Sequence, residues 1–171
     1  GGRRVTDEKS LEALKMVLGG KVNIEMVAAL RKFGVSAIGL SGVSGGLITA
    51  RKRPPVKVTG SHEVVDFGNV GDIEKIDTSM LSMLLDNGHL PIICPLSAGM
   101  EGRVLNVNAD VVACRLAAAL NAEKLLLMTD KIGVLTDVND PTTLISQINA
   151  EQARESIRQG IIAGGMIPKV E

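Results

Sequence analysis

Two asparagines and an aspartate lie close together in the sequence, at positions 106, 108 and 110. They stand where a short apolar run, residues 102–105, predicts a strand and a stretch of small residues, 110–120, predicts a helix. An asparagine side chain caps the unpaired N–H groups at the start of a helix, and the helix dipole favours an aspartate in the first turn. These residues alone therefore leave two interpretations: a helix cap at which nothing binds, or polar groups that face a ligand.

Two further loops carry residues that are able to handle phosphate. Residues 129–134 include Asp130 and Lys131, and residues 164–169 read Gly-Gly-Met-Ile-Pro-Lys. Glycine lets backbone N–H groups approach phosphate oxygens, and a nearby lysine offers a point charge to a transferred phosphoryl group. Each loop by itself also fits an ordinary turn or helix end. The sequence contains neither a P-loop pattern nor Gly-x-Gly-x-x-Gly, so it does not predict the common nucleotide folds.

Composition limits the classes of partner. The 171 residues are 45% hydrophobic, which is enough for a domain with a large core, and 19 basic residues balance 19 acidic ones. With Phe33 and Phe67 as the only aromatic residues, the chain offers no basic or base-stacking surface, so we expect no nucleic-acid partner. No apolar run is long enough for a membrane span, and we expect a soluble cytoplasmic protein. We expect Cys94 and Cys114 to be small buried side chains rather than metal ligands, and we expect no metal site.

The pattern of apolar residues predicts an α/β protein. Helices are expected from Thr6 to the Gly19-Gly20 pair and over about 24–33, 78–86 and 150–158. Asn149 and Gln152 have the form of a capping box at the start of the last of these helices. Strands are expected over 35–41, 90–94, 124–129 and 133–135. Residues 47–71 predict antiparallel strands at a sheet edge, a β-hairpin region whose basic residues 51–53 lie in a solvated loop. Apolar strands separated by helices imply a mainly parallel sheet with ligands at the carboxyl ends of its strands.

Five motifs, in this order, resemble those of the amino acid kinase family. They are Gly-Arg-Arg-Val-Thr at 2–6, Asn-Gly-His-Leu-Pro at 87–91, Asn-Val-Asn-Ala-Asp at 106–110, the segment 127–135 and the segment 160–169. The resemblance implies an open three-layer αβα sandwich with a mainly parallel central sheet. It also implies a substrate-binding and dimerisation lobe, residues 1–121, followed by part of a nucleotide-binding lobe, residues 122–171.

The resemblance also implies an activity: transfer of the γ-phosphoryl group of ATP, with Mg²⁺ held through the phosphates, to the side-chain carboxylate of N-acetyl-L-glutamate in arginine biosynthesis. It gives Arg4 and Asn106 to substrate binding, and Asp110 and Lys169 to catalysis. The residues that it assigns to nucleotide binding are Asp130, Lys131, Ile132, Gly133, Val134, Leu135, Ile161, Ile162 and Ala163. It further implies a homodimer or higher homo-oligomer formed through residues 11–33, and a PII-type regulatory protein as a partner.

The family has a second phosphate-binding lysine and a glycine loop upstream of the motif at 2–6, and further elements beyond residue 171. Since the chain opens on Gly1 rather than methionine, we expect a fragment that is inactive by itself. Two alternatives remain. One is a sister kinase acting on acylated 2-aminoadipate in lysine biosynthesis, and the other is a non-catalytic fragment that binds a nucleotide or a partner.

Overall fold

The computed structural model describes residues 5–57 and 64–170. Within these ranges the chain forms two compact units, residues 5–123 and residues 124–170. None of the helices in the two ranges is long and apolar enough to cross a membrane. The functional assignment of the two lobes stays a prediction, because compactness alone does not say what a unit binds.

The first unit opens with a helix whose hydrogen-bond pattern changes midway. Helix α1, Glu8–Leu14, continues through a π-helical segment, Lys15–Val22, into α2, Asn23–Arg31. Asp7 caps α1 by accepting a hydrogen bond from the Ser10 N–H at 2.7 Å. The prediction that the Gly19-Gly20 pair interrupts the helix is wrong. The pair lies inside the π-helical segment, where residues without a side chain accommodate the wider turn and the helix continues.

Eight strands follow the helix in the first unit. They are β1 Ala37–Ser41, β2 Ile48–Lys52, β3 Val56–Lys57, β4 Val64–Val65, β5 Gly71–Ile76, β6 Leu90–Cys94, β7 Leu96–Ala98 and β8 Val104–Asn106. β1 pairs in parallel with β6, and a four-stranded sheet has the order β5-β2-β7-β8, in which β2 and β7 are parallel. The pairs β2/β5, β3/β4 and β7/β8 are antiparallel. Helices α3, Ser79–Asp86, and α4, Ala109–Ala119, connect strands or follow them, and the predicted α/β class is confirmed.

The predicted β-hairpin region is present, but its basic residues do not form a loop. Arg51 and Lys52 are the last residues of β2. Lys52 pairs with Asp66 at 3.0 Å, Arg51 with Glu74 at 3.9 Å, and Arg53 with Asp72 through two guanidinium nitrogens. The expectation of a loop is therefore wrong for Arg51 and Lys52, because their backbones pair with Asp72 and Gly71 of β5, although both side chains are exposed as expected.

The core of the first unit lies beneath the segment 106–110. Its buried members are Leu47, Ile48, Ala50, Leu81, Leu105, Val107, Val112 and Leu116. Val112 and Leu116 are four residues apart and so share one face of α4, and Leu105 fixes β8 from the strand side. Burying a side chain of this size stabilises a fold by about 1.5–3 kcal/mol. The core thus fixes both elements that flank the segment. Cys94 is buried, as predicted, whereas Cys114 is half-buried, and both are free thiols.

The second unit contains α5, Ala150–Arg158, and α6, Ile167–Val170. The predicted capping box is confirmed: the Gln152 N–H donates to Asn149 Oδ1 at 2.9 Å, and the Asn149 N–H donates to Gln152 Oε1 at 3.0 Å. The strand predicted at 124–129 is not formed, and that predicted at 133–135 is reduced to a single bridge between Leu135 and Leu144. A strand requires a neighbouring strand for its hydrogen bonds, and residues 124–129 have none within the described ranges.

Candidate functional site

The segment 106–110 joins the last residue of β8 to the first turn of α4. Asn108 is the N-cap of α4, where its Oδ1 accepts a hydrogen bond from the Val111 N–H at 3.0 Å. Asp110 lies in the first turn, half-buried, at the positive end of the helix dipole. The capping role predicted for Asn108 is confirmed. Since Asn106 lies outside the helix, its side chain is not part of the cap.

Asn106 belongs to a polar cluster made of three distant parts of the chain. Its Nδ2 donates to Thr6 Oγ1 at 3.2 Å, and its backbone N–H donates to the carbonyl oxygen of Asn69 at 2.8 Å. The Asn69 N–H in turn donates to the carbonyl oxygen of Thr6 at 2.7 Å. Thr6 and Asn69 are each only 2% exposed, whereas Asn106 is half-buried. The fold thus fixes the backbone of this cluster and leaves Asn106 accessible.

Gly68 makes this close approach possible. Its φ is +70°, and a Cβ atom at this position would lie 2.3 Å from the carbonyl oxygen of Thr6. On the other side of the turn, Asp66 accepts hydrogen bonds from the Gly68 N–H at 2.8 Å and from Lys52 Nζ at 3.0 Å. The hydrogen bond from Lys52 lowers the pKa of Asp66 below its usual 3.8. The turn that touches Thr6 is thereby tied to β2.

Arg103 reaches the same cluster from the start of β8. Its Nε donates to Asn69 Oδ1 at 3.1 Å, and its Nη2 donates to the same oxygen. Sequence patterns did not reveal Thr6, Asn69 or Arg103 as site residues. The contacts span 100 positions from Thr6 to Asn106 and 34 from Asn69 to Arg103, and no local periodicity reports contacts of that range.

Arg4, the other residue predicted to bind substrate, lies outside the described residues. A cavity of about 670 Å³ occurs elsewhere, between α2 and β1, and its lining includes Asn23, Val27 and Ser36. None of the predicted site residues lines it. The candidate site in the first unit is therefore defined by the cluster around Asn106 and by the first turn of α4.

The second unit holds the residues predicted to contact the nucleotide. Asp130 and Lys131 are exposed and pair with each other at 3.3 Å, and the hydrogen bond from Lys131 lowers the pKa of Asp130. The N–H groups of Ile161 and Ile162 donate to the Ser156 carbonyl oxygen and end α5, with the side chain of Ile162 buried. Ala163 is exposed, residues 133–135 are half-buried, Ile132 is exposed, and Lys169 is half-buried on α6.

Comparison with known proteins shows the family of the chain. The model of the amino acid kinase family matches residues 2–171. The chain belongs to the amino acid kinase family. Among curated relatives, an acetylglutamate kinase from Methanopyrus kandleri is 49% identical over 170 residues, which are 99% of this chain and 68% of that protein. Several other acetylglutamate kinases match 99% of the chain, which spans only 57–58% of their length.

Solved structures show the same fold. A crystal structure of a Streptococcus mutans protein has a TM-score of 0.81 and 31% identity, covering 99% of this chain and 64% of that one. The N-acetylglutamate synthase from Neisseria gonorrhoeae, solved with coenzyme A and N-acetyl-glutamate, has a TM-score of 0.76 and 26% identity over 97% of this chain and 35% of its own. These likenesses confirm the fold that the five motifs implied.

Proposed function

We propose that the complete gene product transfers the γ-phosphoryl group of ATP to the side-chain carboxylate of N-acetyl-L-glutamate, as a step of arginine biosynthesis. The observation that carries this proposal is that curated relatives 43–49% identical over 99% of the chain are named acetylglutamate kinase. No feature of the described residues favours acylated 2-aminoadipate.

The first unit supplies the acid-binding side in this proposal, and residues 1–121 form the substrate lobe. Asn106 contacts the acetylated amino acid through its accessible side chain, next to the positive end of α4. Arg4 grips the α-carboxylate, since a guanidinium pairs with a carboxylate through two parallel hydrogen bonds. Its place two positions before the buried Thr6 puts it next to the cluster in sequence.

Residues 122–171 contribute to nucleotide binding in this proposal. Backbone and side chains of 130–135 and 161–163 contact the nucleotide, Lys169 stabilises charge on the transferred phosphoryl group, and Asp110 holds the catalytic lysines in place. Phosphoryl transfer has a loose transition state, so positioning and charge stabilisation provide most of the catalysis. Within the described residues no three His, Cys, Asp or Glu side chains form a metal-binding group. The family resemblance assigns Mg²⁺ to the phosphate oxygens of ATP.

The segment 11–33 is the proposed homodimer surface. Leu11 is buried in the unit, but several large apolar side chains of this segment are exposed. They are Met16, Val17, Ile24, Met26 and Phe33. Apolar patches of this kind mark protein–protein contacts, and a two-fold symmetric dimer is the commonest assembly. A PII-type regulatory protein is a further proposed partner. The proposed location of the protein is the cytoplasm.

The proposal is tested by coupling ATP consumption to N-acetyl-L-glutamate in the complete gene product and in its Lys169→Ala variant. We expect kcat to fall by about 10²–10³-fold with little change in either KM, because a charge aimed at the transferred group acts mostly in the transition state. Lys75→Ala, which removes an exposed lysine on β5, is the matched control. A fall in kcat of less than about threefold would remove Lys169 from the mechanism. If the enzyme turned over acylated 2-aminoadipate faster than N-acetyl-L-glutamate, the former would be the substrate.

A further inference from the structure

Asn69 occupies the centre of the cluster around Asn106. Its backbone N–H is bonded to Thr6 and its backbone carbonyl to Asn106, so one peptide segment fixes both residues. The side chain of Asn69 is buried, and its Oδ1 accepts hydrogen bonds from Arg103. A shift of the Asn69 backbone would therefore strain its bonds to both Thr6 and Asn106.

Arg103 determines whether Asn69 is held in place. Two guanidinium N–H groups donate to Asn69 Oδ1, an oxygen on a residue only 2% exposed. Hydrogen bonds from a charged donor are stronger than neutral ones, and a buried carbonyl oxygen that loses its donors is destabilised. Removing the guanidinium thus favours a shift of Asn69 that brings its Oδ1 to another hydrogen-bond donor.

Arg103 also contacts Glu8, but that contact has a different character. The Nη2–Oε1 distance is 3.3 Å, and the two side chains are 47% and 75% exposed. An ion pair that is open to solvent contributes little to a protein's stability. The role of Arg103 is therefore to be found in its bonds to Asn69 rather than in its bond to Glu8.

We propose that Arg103 and Asn69 are positioning residues that set the affinity of the Asn106 site for the acylated amino acid. This inference rests on the proposed function, since it takes Asn106 as the group that contacts the acid. The two residues act through Asn106 rather than on the reacting atoms. Because Asn106 is the group proposed to contact the acid, we expect the pair to change the affinity for the acid and not for ATP.

The first test measures steady-state kinetics of the complete gene product and three variants. Arg103→Gln should raise the KM for N-acetyl-L-glutamate about tenfold and leave the KM for ATP unchanged. Arg103→Lys keeps one donor and should give an intermediate value. Glu8→Gln removes only the exposed ion pair and is the matched control, with both KM values unchanged. Equal increases in both KM values, or an equal effect of Glu8→Gln, would overturn the proposal.

The second test needs no substrate. Amide hydrogen exchange of Asn106 and Asn69 should be about tenfold faster in Arg103→Gln than in the wild type or in Glu8→Gln. The reason is that the Asn69 N–H bonds to the Thr6 carbonyl and the Asn106 N–H to the Asn69 carbonyl, so both depend on the position of Asn69. Unchanged exchange would show that Arg103 does not position the cluster. Faster exchange with an unchanged KM for the acid would show that the cluster does not set its affinity. A wild type that consumes no ATP with N-acetyl-L-glutamate would instead reject the proposed function, and the inference with it.

Discussion

Replacing Gly68 with alanine tests whether the contact between Gly68 and Thr6 is as tight as the structure shows. Gly68 has a φ of +70°, and the new Cβ atom would stand 2.3 Å from the carbonyl oxygen and 3.1 Å from the carbonyl carbon of Thr6. That carbonyl cannot move away freely. It accepts the Asn69 N–H at 2.7 Å, while the Thr6 N–H donates to the Phe67 carbonyl at 3.0 Å.

Two effects determine the magnitude. A non-glycine residue in the left-handed region loses about 1–2 kcal/mol, and forcing an extra methyl group into a packed site costs about 1–3 kcal/mol. Their sum predicts that Gly68→Ala lowers the free energy of unfolding by about 2–5 kcal/mol. Gly88→Ala isolates the first effect, because Gly88 has a φ of +75° and nothing lies within 4 Å of its added Cβ.

Urea unfolding of both variants, followed by circular dichroism, gives the comparison. Gly88→Ala should lower the free energy of unfolding by about 1–2 kcal/mol, and Gly68→Ala should lower it by about 1–3 kcal/mol more. Amide exchange at Asn69 and Asn106 should also accelerate in Gly68→Ala alone, since the excess strain is local to the cluster. Equal losses in the two variants would mean that the Thr6 carbonyl yields easily, and the idea of a rigid cluster around Asn106 would be refuted.

Three further outcomes are expected. Asn149→Ala should destabilise α5 by about 1 kcal/mol in urea unfolding, with Asn149→Asp close to wild type; identical midpoints for all three would contradict the capping box. Hydrogen bonds from Ser79 lower the pKa of Asp77, so its contribution to stability is present above its unfolded pKa near 3.8 and is lost as the pH falls through the lower folded value. Unfolding measured from pH 5 to pH 2 should show a smaller loss for Asp77→Asn than for wild type, and parallel curves would exclude this linkage. Ile24→Asp should convert dimers to monomers in light scattering, because Ile24 is 67% exposed on α2; an unchanged mass with an intact circular dichroism spectrum would place the interface elsewhere.

Features set by neighbouring residues could be predicted from the sequence. The Asn108 cap and the Asn149–Gln152 capping box both depend on hydrogen bonds across three positions, and the structure contains both of them. The α/β class follows from periodicity over similarly short windows. The Asn108 cap thus locates the start of α4 before any tertiary contact is known, and the family motif at 106–110 makes that start a candidate site.

The remaining features depend on partners that a local pattern does not show. Residues 124–129 have the composition of a strand but no neighbouring strand in the described ranges, so composition alone predicted the wrong state. Arg51 and Lys52 were predicted to lie in a loop because their strand partners, Asp72 and Gly71 of β5, are distant in sequence. The hydrogen bonds from Asn69 to Thr6 and Arg103 could not be predicted either, because these residues are also far apart in the sequence. The roles of Asp110 and Lys169 stay predictions that rest on the family motifs.

The π-helical segment Lys15–Val22 makes the number of residues in this helix as important as their identity. On one side α1 packs Leu11 with Cys94 and Leu96, and on the other Asn23 donates to the carbonyl oxygens of Leu40 and Ile92 at 3.2 and 3.0 Å. Each residue of an α-helix advances by about 100°, and a π turn includes one residue more. Deleting one glycine of the 19–20 pair would therefore let the segment close to the narrower α turn with Leu11 and Asn23 still facing their partners, whereas a deletion within α1 or α2 would turn one half of the helix by about 100° relative to the other. The π-helical segment is thus where this helix can lose a residue and keep the contacts at both ends.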